Sequence, residues 1–205
     1  FAKRLQANVF MPDYRLAPEH PYPTPINDAF EAYRWLLEQG HDPGSIVFSG
    51  DSAGGAMVVS LMVAARNAGL PMPAGGVAIS PWANLEHTGA SMRNRDGIDP
   101  IVSKEALDLI ARRFLNGALA NNPEASPVFA DVRGLPPILV QIGENEVMLS
   151  DAIRLATHLA ENRVRTSLEV WPNMFHVWPI FADILPEGEQ ALVSAVRFLE
   201  DVLLR

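Results

Sequence analysis

The segment whose residue types and spacing could do chemistry is Gly50-Asp51-Ser52-Ala53-Gly54. It has the form Gly-x-Ser-x-Gly. It stands between a β-branched run, Ser45 to Ser49, and an apolar run, Ala56 to Asn67. A serine on so tight a strand-to-helix turn is held in strained backbone, and its hydroxyl is lifted clear of the sheet. The turn also leaves the Ala53 N–H at a helix N-terminus, where a developing oxyanion can be bound. Only small neighbours fit such a bend, and Gly55 adds a third glycine. A phosphate-binding loop is the other reading of a glycine-rich turn. The chain has no Gly-Lys-Ser/Thr ending and no Gly-x-Gly-x-x-Gly spacing to support it.

A serine hydroxyl is a poor nucleophile until a base takes its proton. The chain offers five histidines. His20 and His41 precede Ser52, and His87 falls in an irregular stretch. His158 lies mid-helix among polar residues and is expected to be solvated. His176 sits in Pro172-Asn173-Met174-Phe175-His176-Val177, a loop between the last predicted strand and the last predicted helix. Where a nucleophilic serine sits on such an elbow the chain order is serine, acid, histidine, and His176 fits that order. The acid is expected just after the preceding strand, where Glu144, Glu146 and Asp151 are available. Its task is to hold the imidazole tautomer and stabilise imidazolium. Asp151 falls in the first turn of a helix, where a carboxylate also serves the helix dipole. Without cysteine, disulfides, thiolate metal sites and cysteine nucleophiles are excluded. No His/Asp group has metal spacing, so neither metal nor cofactor is implied.

These residues need a scaffold. The 205 residues amount to about one domain. The balance of 16 basic against 24 acidic residues gives a net charge of −8, which disfavours nucleic acid or an anionic membrane as partner. No apolar run reaches the roughly 18 residues of a membrane span. Strands are expected at Asn8 to Tyr14, Ser45 to Ser49, Gly75 to Ser80, Ile138 to Ile142 and Thr166 to Trp171. Helices are expected from Thr24, as cap with Pro25 following, to Gly40, and over Ala56 to Asn67, Ser150 to Glu161 and Glu187 to Leu204. In the last, Leu192, Val196, Leu199 and Leu203 form one core-facing stripe. This alternation predicts an α/β fold, a mostly parallel sheet with helices on both faces. Residues 85–135 are expected to form a polar, irregular insert around one helix, Ser103 to Leu115, above the carboxyl ends of the strands. The chain starts at Phe1 without an initiator Met, and Phe1 to Leu5 read as the last turn of a helix. The expectation is therefore the C-terminal part of something longer.

Taken together, the motifs resemble those of the bacterial hormone-sensitive-lipase family of α/β-hydrolase carboxylesterases. The residues that carry the resemblance are Asp13-Tyr14-Arg15-Leu16-Ala17-Pro18-Glu19-His20-Pro21-Tyr22-Pro23, Gly50 to Gly55, Ser80-Pro81-Trp82 and Leu135-Pro136-Pro137. It covers essentially the whole chain as one α/β-hydrolase domain over 1–205, with 85–135 as a cap or insert. It implies Ser52 as nucleophile and His176 as general base. It aligns the family's acid, usually Asp, with Glu146, leaving Asp151 as the fallback. It implies Ala53 as an oxyanion donor, Asp51 as a turn-stabilising neighbour, and Asp28 as a buried helix-start carboxylate tied to the Tyr14 to Pro23 loop. The implied activity is hydrolysis of short- to medium-chain acyl esters through an acyl-enzyme, without cofactor. The implied partner is a small ester, with a homodimer through a sheet edge as a further expectation. The alternatives are a lipase or peptidase of the same fold, or a non-catalytic binding protein. The family's upstream His-Gly-Gly loop, its N-terminal cap and its earlier strands have no counterpart here.

Overall fold

Four short runs pair side by side in chain order: β1 (Val47–Asp51), β2 (Gly75–Ile79), β3 (Ile138–Gly143) and β4 (Thr166–Trp171). Every pair is parallel, with Asp51 opposite Ile79, Ile79 opposite Gln141 and Gly143 opposite Trp171. All four carboxyl ends therefore finish along one edge. The computed structural model describes residues 1–204. The inner strands β2 and β3 are buried at every position, as the lack of polar alternation predicts, whereas β1 and β4 are only partly covered.

Parallel strands need long crossovers, and helices supply them. In chain order these are α1 (Ala2–Leu5), α2 (Thr24–Glu38), α3 (Ala53–Asn67), α4 (Ser91–Asn94), α5 (Lys104–Leu115), α6 (Leu149–Glu161) and α7 (Pro186–Leu203). Successive strand residues point to opposite faces. Val77, Ile79 and Leu139 meet Ala195, Leu199 and Val202 of α7 on one side. On the other side Ile138, Val140 and Ile142 join Val58 and Met62 of α3 and Leu155 and Leu159 of α6.

Several expectations are corrected, and β1 itself starts and ends two residues later than the expected Ser45 to Ser49. Asn8 to Tyr14 forms no strand; Val9, Phe10 and Met11 are exposed, and Phe10 stacks on Trp35 with ring centroids 5.7 Å apart. A strand exists only where a neighbour takes its backbone hydrogen bonds, and none does so here among the described residues. Thr24 is not the cap of α2. Its N–H donates to the Pro21 carbonyl at 2.9 Å, so the chain turns one residue early, and Pro23 holds the cap position. Val196 and Leu199 are buried as expected, but Ala191, Ala195 and Val202 complete the buried stripe of α7, while Leu192 and Leu203 are only partly buried. Small alanines let α7 approach the sheet, a packing effect that hydrophobicity alone does not rank.

The 85–135 segment contributes no strand, yet it is not merely polar. Leu85, Met92, Leu107, Ala111, Leu115, Val128 and Val132 belong to the main apolar cluster. Its helix α5 begins where Ser103 Oγ accepts from the Ala106 N–H at 3.2 Å. Near the start of the chain, the loop before α2 is fastened to that helix by Arg15, whose guanidinium and backbone N–H both donate to Asp28 at 2.7 to 3.0 Å. Asp28 is tied to the loop as expected, but it is partly exposed rather than buried.

The hydrogen bonds from Arg15 hold the Asp28 carboxyl down at about 2 against an ordinary 3.8. A lowered folded-state value stabilises above the unfolded value and is lost as pH falls through the folded one. The stability difference between the wild type and Asp28→Asn is therefore expected to be present at pH 6 and to vanish between about pH 4 and 2. Urea unfolding across that range checks it. The difference should be small and salt-sensitive, because the pair faces solvent.

Candidate active site

Each strand hands one polar side chain to the common edge. Ser52 follows β1 directly, Ser80 follows β2 directly, Glu146 lies three residues past β3, and His176 five residues past β4. Ser52 sits at φ 53°, ψ −118°, where an L-residue is strained, between the last residue of β1 and the first of α3. The bend is locked from several sides. Ser52 donates its N–H to the Ile79 carbonyl at 2.9 Å, and its own carbonyl accepts from the Trp82 N–H at 2.9 Å.

The glycines of the elbow have different tasks. A Cβ on Gly50 would stand 2.4 Å from the Gly54 carbonyl oxygen, and one on Gly55 would stand 2.8 Å from that of Ile79. Nothing lies within 4 Å of a Cβ on Gly54. Close backbone approach therefore demands glycine at 50 and 55, and not at 54. Ala53 opens α3, so its N–H is a first-turn donor without an intrahelical acceptor.

Ser52 Oγ lies 3.0 Å from His176 Nε2, and His176 Nδ1 lies 2.9 Å from Glu146 Oε2. The carboxylate accepts, so Nδ1 carries the proton and Nε2 presents its lone pair to the serine hydroxyl. Glu146 has no exposed surface. Its other oxygen, Oε1, accepts from the Ser80 hydroxyl and from the Gly143 N–H, both at 2.7 Å. Burial pushes the Glu146 carboxyl above its ordinary 4.5, and the donors from His176, Gly143 and Ser80 pull against that shift.

Ser80 is the residue that sequence reasoning did not assign. Its Oγ donates to Glu146 and accepts from the Val177 N–H at 3.1 Å. One hydroxyl thus ties the carboxylate to the loop that carries the imidazole. Both Ser80, at φ 46°, and Val177, at φ 55°, have left-handed backbone, which is costly for a β-branched residue such as valine. The Ser80-Pro81-Trp82 run was visible as a motif, but nothing in the sequence shows what the hydroxyl reaches.

The other candidates lie elsewhere. Asp151 is buried but turns Oδ1 to the Asn84 amide, at 3.0 Å. Glu144 accepts from the Asn173 N–H at 3.0 Å. His87 takes the Trp82 indole N–H on Nε2 at 2.8 Å and donates from Nδ1 to Asp108 at 2.6 Å, so both ring nitrogens are occupied. His158 is not simply solvated: its Nε2 donates to the Ala130 carbonyl at 2.7 Å. His20 and His41 are exposed. Asp51, beside the serine, is exposed at the end of β1. Among the described residues one group could offer three ligand atoms to a metal ion: Asp99, Glu146 and His176. Glu146 and His176 already direct their facing atoms at each other, which favours proton handling over a metal cage.

Two apolar cavities adjoin this edge. One of about 230 Å³ is lined by Ala53, Leu16, Ile26, Trp82, Leu85 and Phe114 among others. A larger one, of about 960 Å³, runs along β1 past Phe10, Trp35 and Phe48 and reaches Gly50 and Val177.

An elbow serine, an imidazole and a buried acid at the carboxyl edge of a parallel sheet define a class. Residues 1–180 match the family profile described as the alpha/beta hydrolase fold, and the chain belongs to that family. It is 43% identical over 186 residues to an acetyl-hydrolase of Streptomyces hygroscopicus, covering 91% of this chain and 62% of that protein. It is 35% identical over 198 residues to an esterase of Acinetobacter venetianus, covering 96% and 65%. Among solved structures, an esterase/lipase from an uncultured bacterium superposes with TM-score 0.96 at 45% identity, covering all of this chain and 69% of the other. An esterase from the bacterial hormone-sensitive lipase family gives 0.91 at 49%, covering 93% and 64%. The chain spans slightly over three fifths of the length of these two curated relatives, at 62% and 65%.

Ser80→Ala leaves the buried Glu146 oxygen with one donor fewer and the Val177 N–H without its acceptor. A loss of about 1–3 kcal/mol is expected from urea unfolding. Stability equal to wild type would show that the hydroxyl clamp is dispensable.

Proposed function

We propose that this chain carries the reaction centre of a serine carboxylesterase, with Ser52 as nucleophile, His176 as general base and Glu146 as the acid that orients it. The observation that carries the reading is the continuous path Ser52 Oγ to His176 Nε2, and His176 Nδ1 to Glu146 Oε2, at 3.0 and 2.9 Å. The names of the relatives, acetyl-hydrolase and esterase, support the same chemistry.

Ser52 Oγ attacks the ester carbonyl carbon as its proton passes to His176 Nε2. The carbonyl π pair moves to oxygen, and the Ala53 N–H at the start of α3 helps to bind that oxyanion. Imidazolium forms beside the Glu146 carboxylate, which stabilises it without taking the proton. The oxyanion collapses, the C–O bond to the alcohol breaks, and His176 returns the proton to the leaving alkoxide. Water, deprotonated by His176, then attacks the acyl-serine; the C–O bond to Ser52 breaks, His176 returns the proton to Ser52 Oγ, and the carboxylic acid is released.

The acyl group is proposed to occupy the apolar cavity beside Ala53. Its volume of about 230 Å³ lies below the roughly 300–1,000 Å³ of pockets for drug-sized ligands, which favours short acyl chains. The lining is aliphatic and aromatic apart from a few polar groups such as Tyr14, Ser60 and Glu124.

A fluorophosphonate probe is expected to label the full-length protein at Ser52, and Ser52→Ala is expected to abolish labelling and lower ester hydrolysis by about 10⁴-fold or more. Glu146→Gln should lower kcat by about 10²–10⁴-fold with little change in KM, since it disturbs the tautomer rather than binding. No labelling of the wild type would favour a binding protein on this scaffold.

Across p-nitrophenyl esters from acetyl to palmitoyl, kcat/KM should peak at or below hexanoyl and fall for decanoyl and beyond. A rise toward palmitoyl, or preference for a peptide bond, would overturn the assignment of the acyl cavity.

A further inference from the structure

The turn between α4 and α5 carries a carboxylate that the relay does not account for. Asp99 is only 7% exposed. Its Oδ1 accepts from the backbone N–H groups of Ile101 at 3.0 Å and Val102 at 3.4 Å, which shape the turn. Its Oδ2 is buried and has no hydrogen-bond partner. One Asp99 oxygen, one Glu146 oxygen and one His176 ring nitrogen all lie within 4.8 Å of one another. A buried, unpartnered carboxylate oxygen is costly and calls for a reason.

We infer that Asp99 is a second acid for His176, a positioning residue that, with Glu146, favours the imidazolium formed when Ser52 gives up its proton. The inference rests on the Ser52–His176–Glu146 reading above. Oδ1 already accepts two amide hydrogens, so Oδ2 is the atom left without a donor of its own. The two acids reach the ring from different parts of the chain: Glu146 from the turn after β3, Asp99 from the 85–135 segment. From the remaining elements the ring and its acid meet hydroxyls, Ser52 after β1 and Ser80 after β2. The nearest cation in sequence, Arg95, donates its Nε to the Glu144 carbonyl at 3.0 Å and gives only its own carbonyl to the Asp99 N–H. A positive ring is therefore the charge that two buried acids can share. Asp99 takes no proton in this step; the proton moves from Ser52 Oγ to His176 Nε2 and later to the leaving alkoxide. The 85–135 segment thus supplies a group that tunes the base, beyond covering the strand ends.

The test is the pH dependence of kcat/KM for a short acyl ester in the full-length protein. Asp99→Asn keeps Oδ1 as acceptor for Ile101 and Val102 and removes the charge. It is expected to move the acid limb of the profile down by about one pH unit and to lower the plateau about tenfold, with an unchanged melting temperature. Asp99→Glu, which restores the charge, should recover most of both. Asp99→Ser, which also keeps a turn acceptor, is read the same way should Asp99→Asn fail to fold. An acid limb that stays in place, with or without a lower rate, would mean that Asp99 only shapes its turn. Hydrolysis that survives Ser52→Ala would instead overturn the relay itself, so the two failures are distinguishable.

Discussion

A carboxylate with no exposed surface cannot be left without donors, and Glu146 sets the terms for everything around it. Removing such a group from water costs more than one hydrogen bond returns, so both of its oxygens must be engaged. The Gly143 N–H, the Ser80 hydroxyl and the His176 ring meet that demand from three separate strand ends. The sheet has to be parallel and in register for those ends to converge. The positive φ at Ser52, Ser80 and Val177 is the local cost of turning the chain sharply enough to deliver them. The buried β2 and β3, packed on α7 on one face and on α3 and α6 on the other, provide the rigidity that holds such strain.

Much of this was legible in the sequence because it is local. The bounds of β4 match expectation, those of β2 and β3 fall within one residue of it, and β1 lies two residues later than its β-branched run suggests. The start of α5 follows from the Ser103 cap. Ser52 is readable because a strained turn imposes small residues at fixed spacing. The structure brings His176 and Glu146 to it, whereas His87, His158, Glu144 and Asp151 find partners elsewhere. What was not legible depends on partners far along the chain. Asn8 to Tyr14 reads as a short apolar strand and finds no neighbouring strand among the described residues. The stripe of α7 shifted because alanines allow closer approach than leucines. His158 reads as solvated until Ala130 comes to meet it. Ser80 and Asp99 are ordinary residues in one dimension; only the folded arrangement brings them 66 and 47 positions, in turn, toward Glu146.

The two kinds of glycine in the elbow make the same point at smaller scale. The Gly-x-Ser-x-Gly pattern treats its glycines as equivalent. Gly50 is fixed by backbone contact with Gly54, whereas the side of Gly54 that would bear a Cβ faces open space. Gly55, outside the pattern, is held as tightly against Ile79. A motif records which residues recur; the contacts record why.

The separation between Ser52 and His176 is 124 residues, and Ser80 stands 97 from Val177. Contacts so far apart along the polymer close large loops, whose entropic cost must be met before the contact gives any return. Such bonds therefore depend on the crossovers that dock the strands and bring their ends together. The line from Ser52 through His176 to Glu146 exists only in the assembled sheet, so a partly assembled molecule holds every one of these groups without their arrangement.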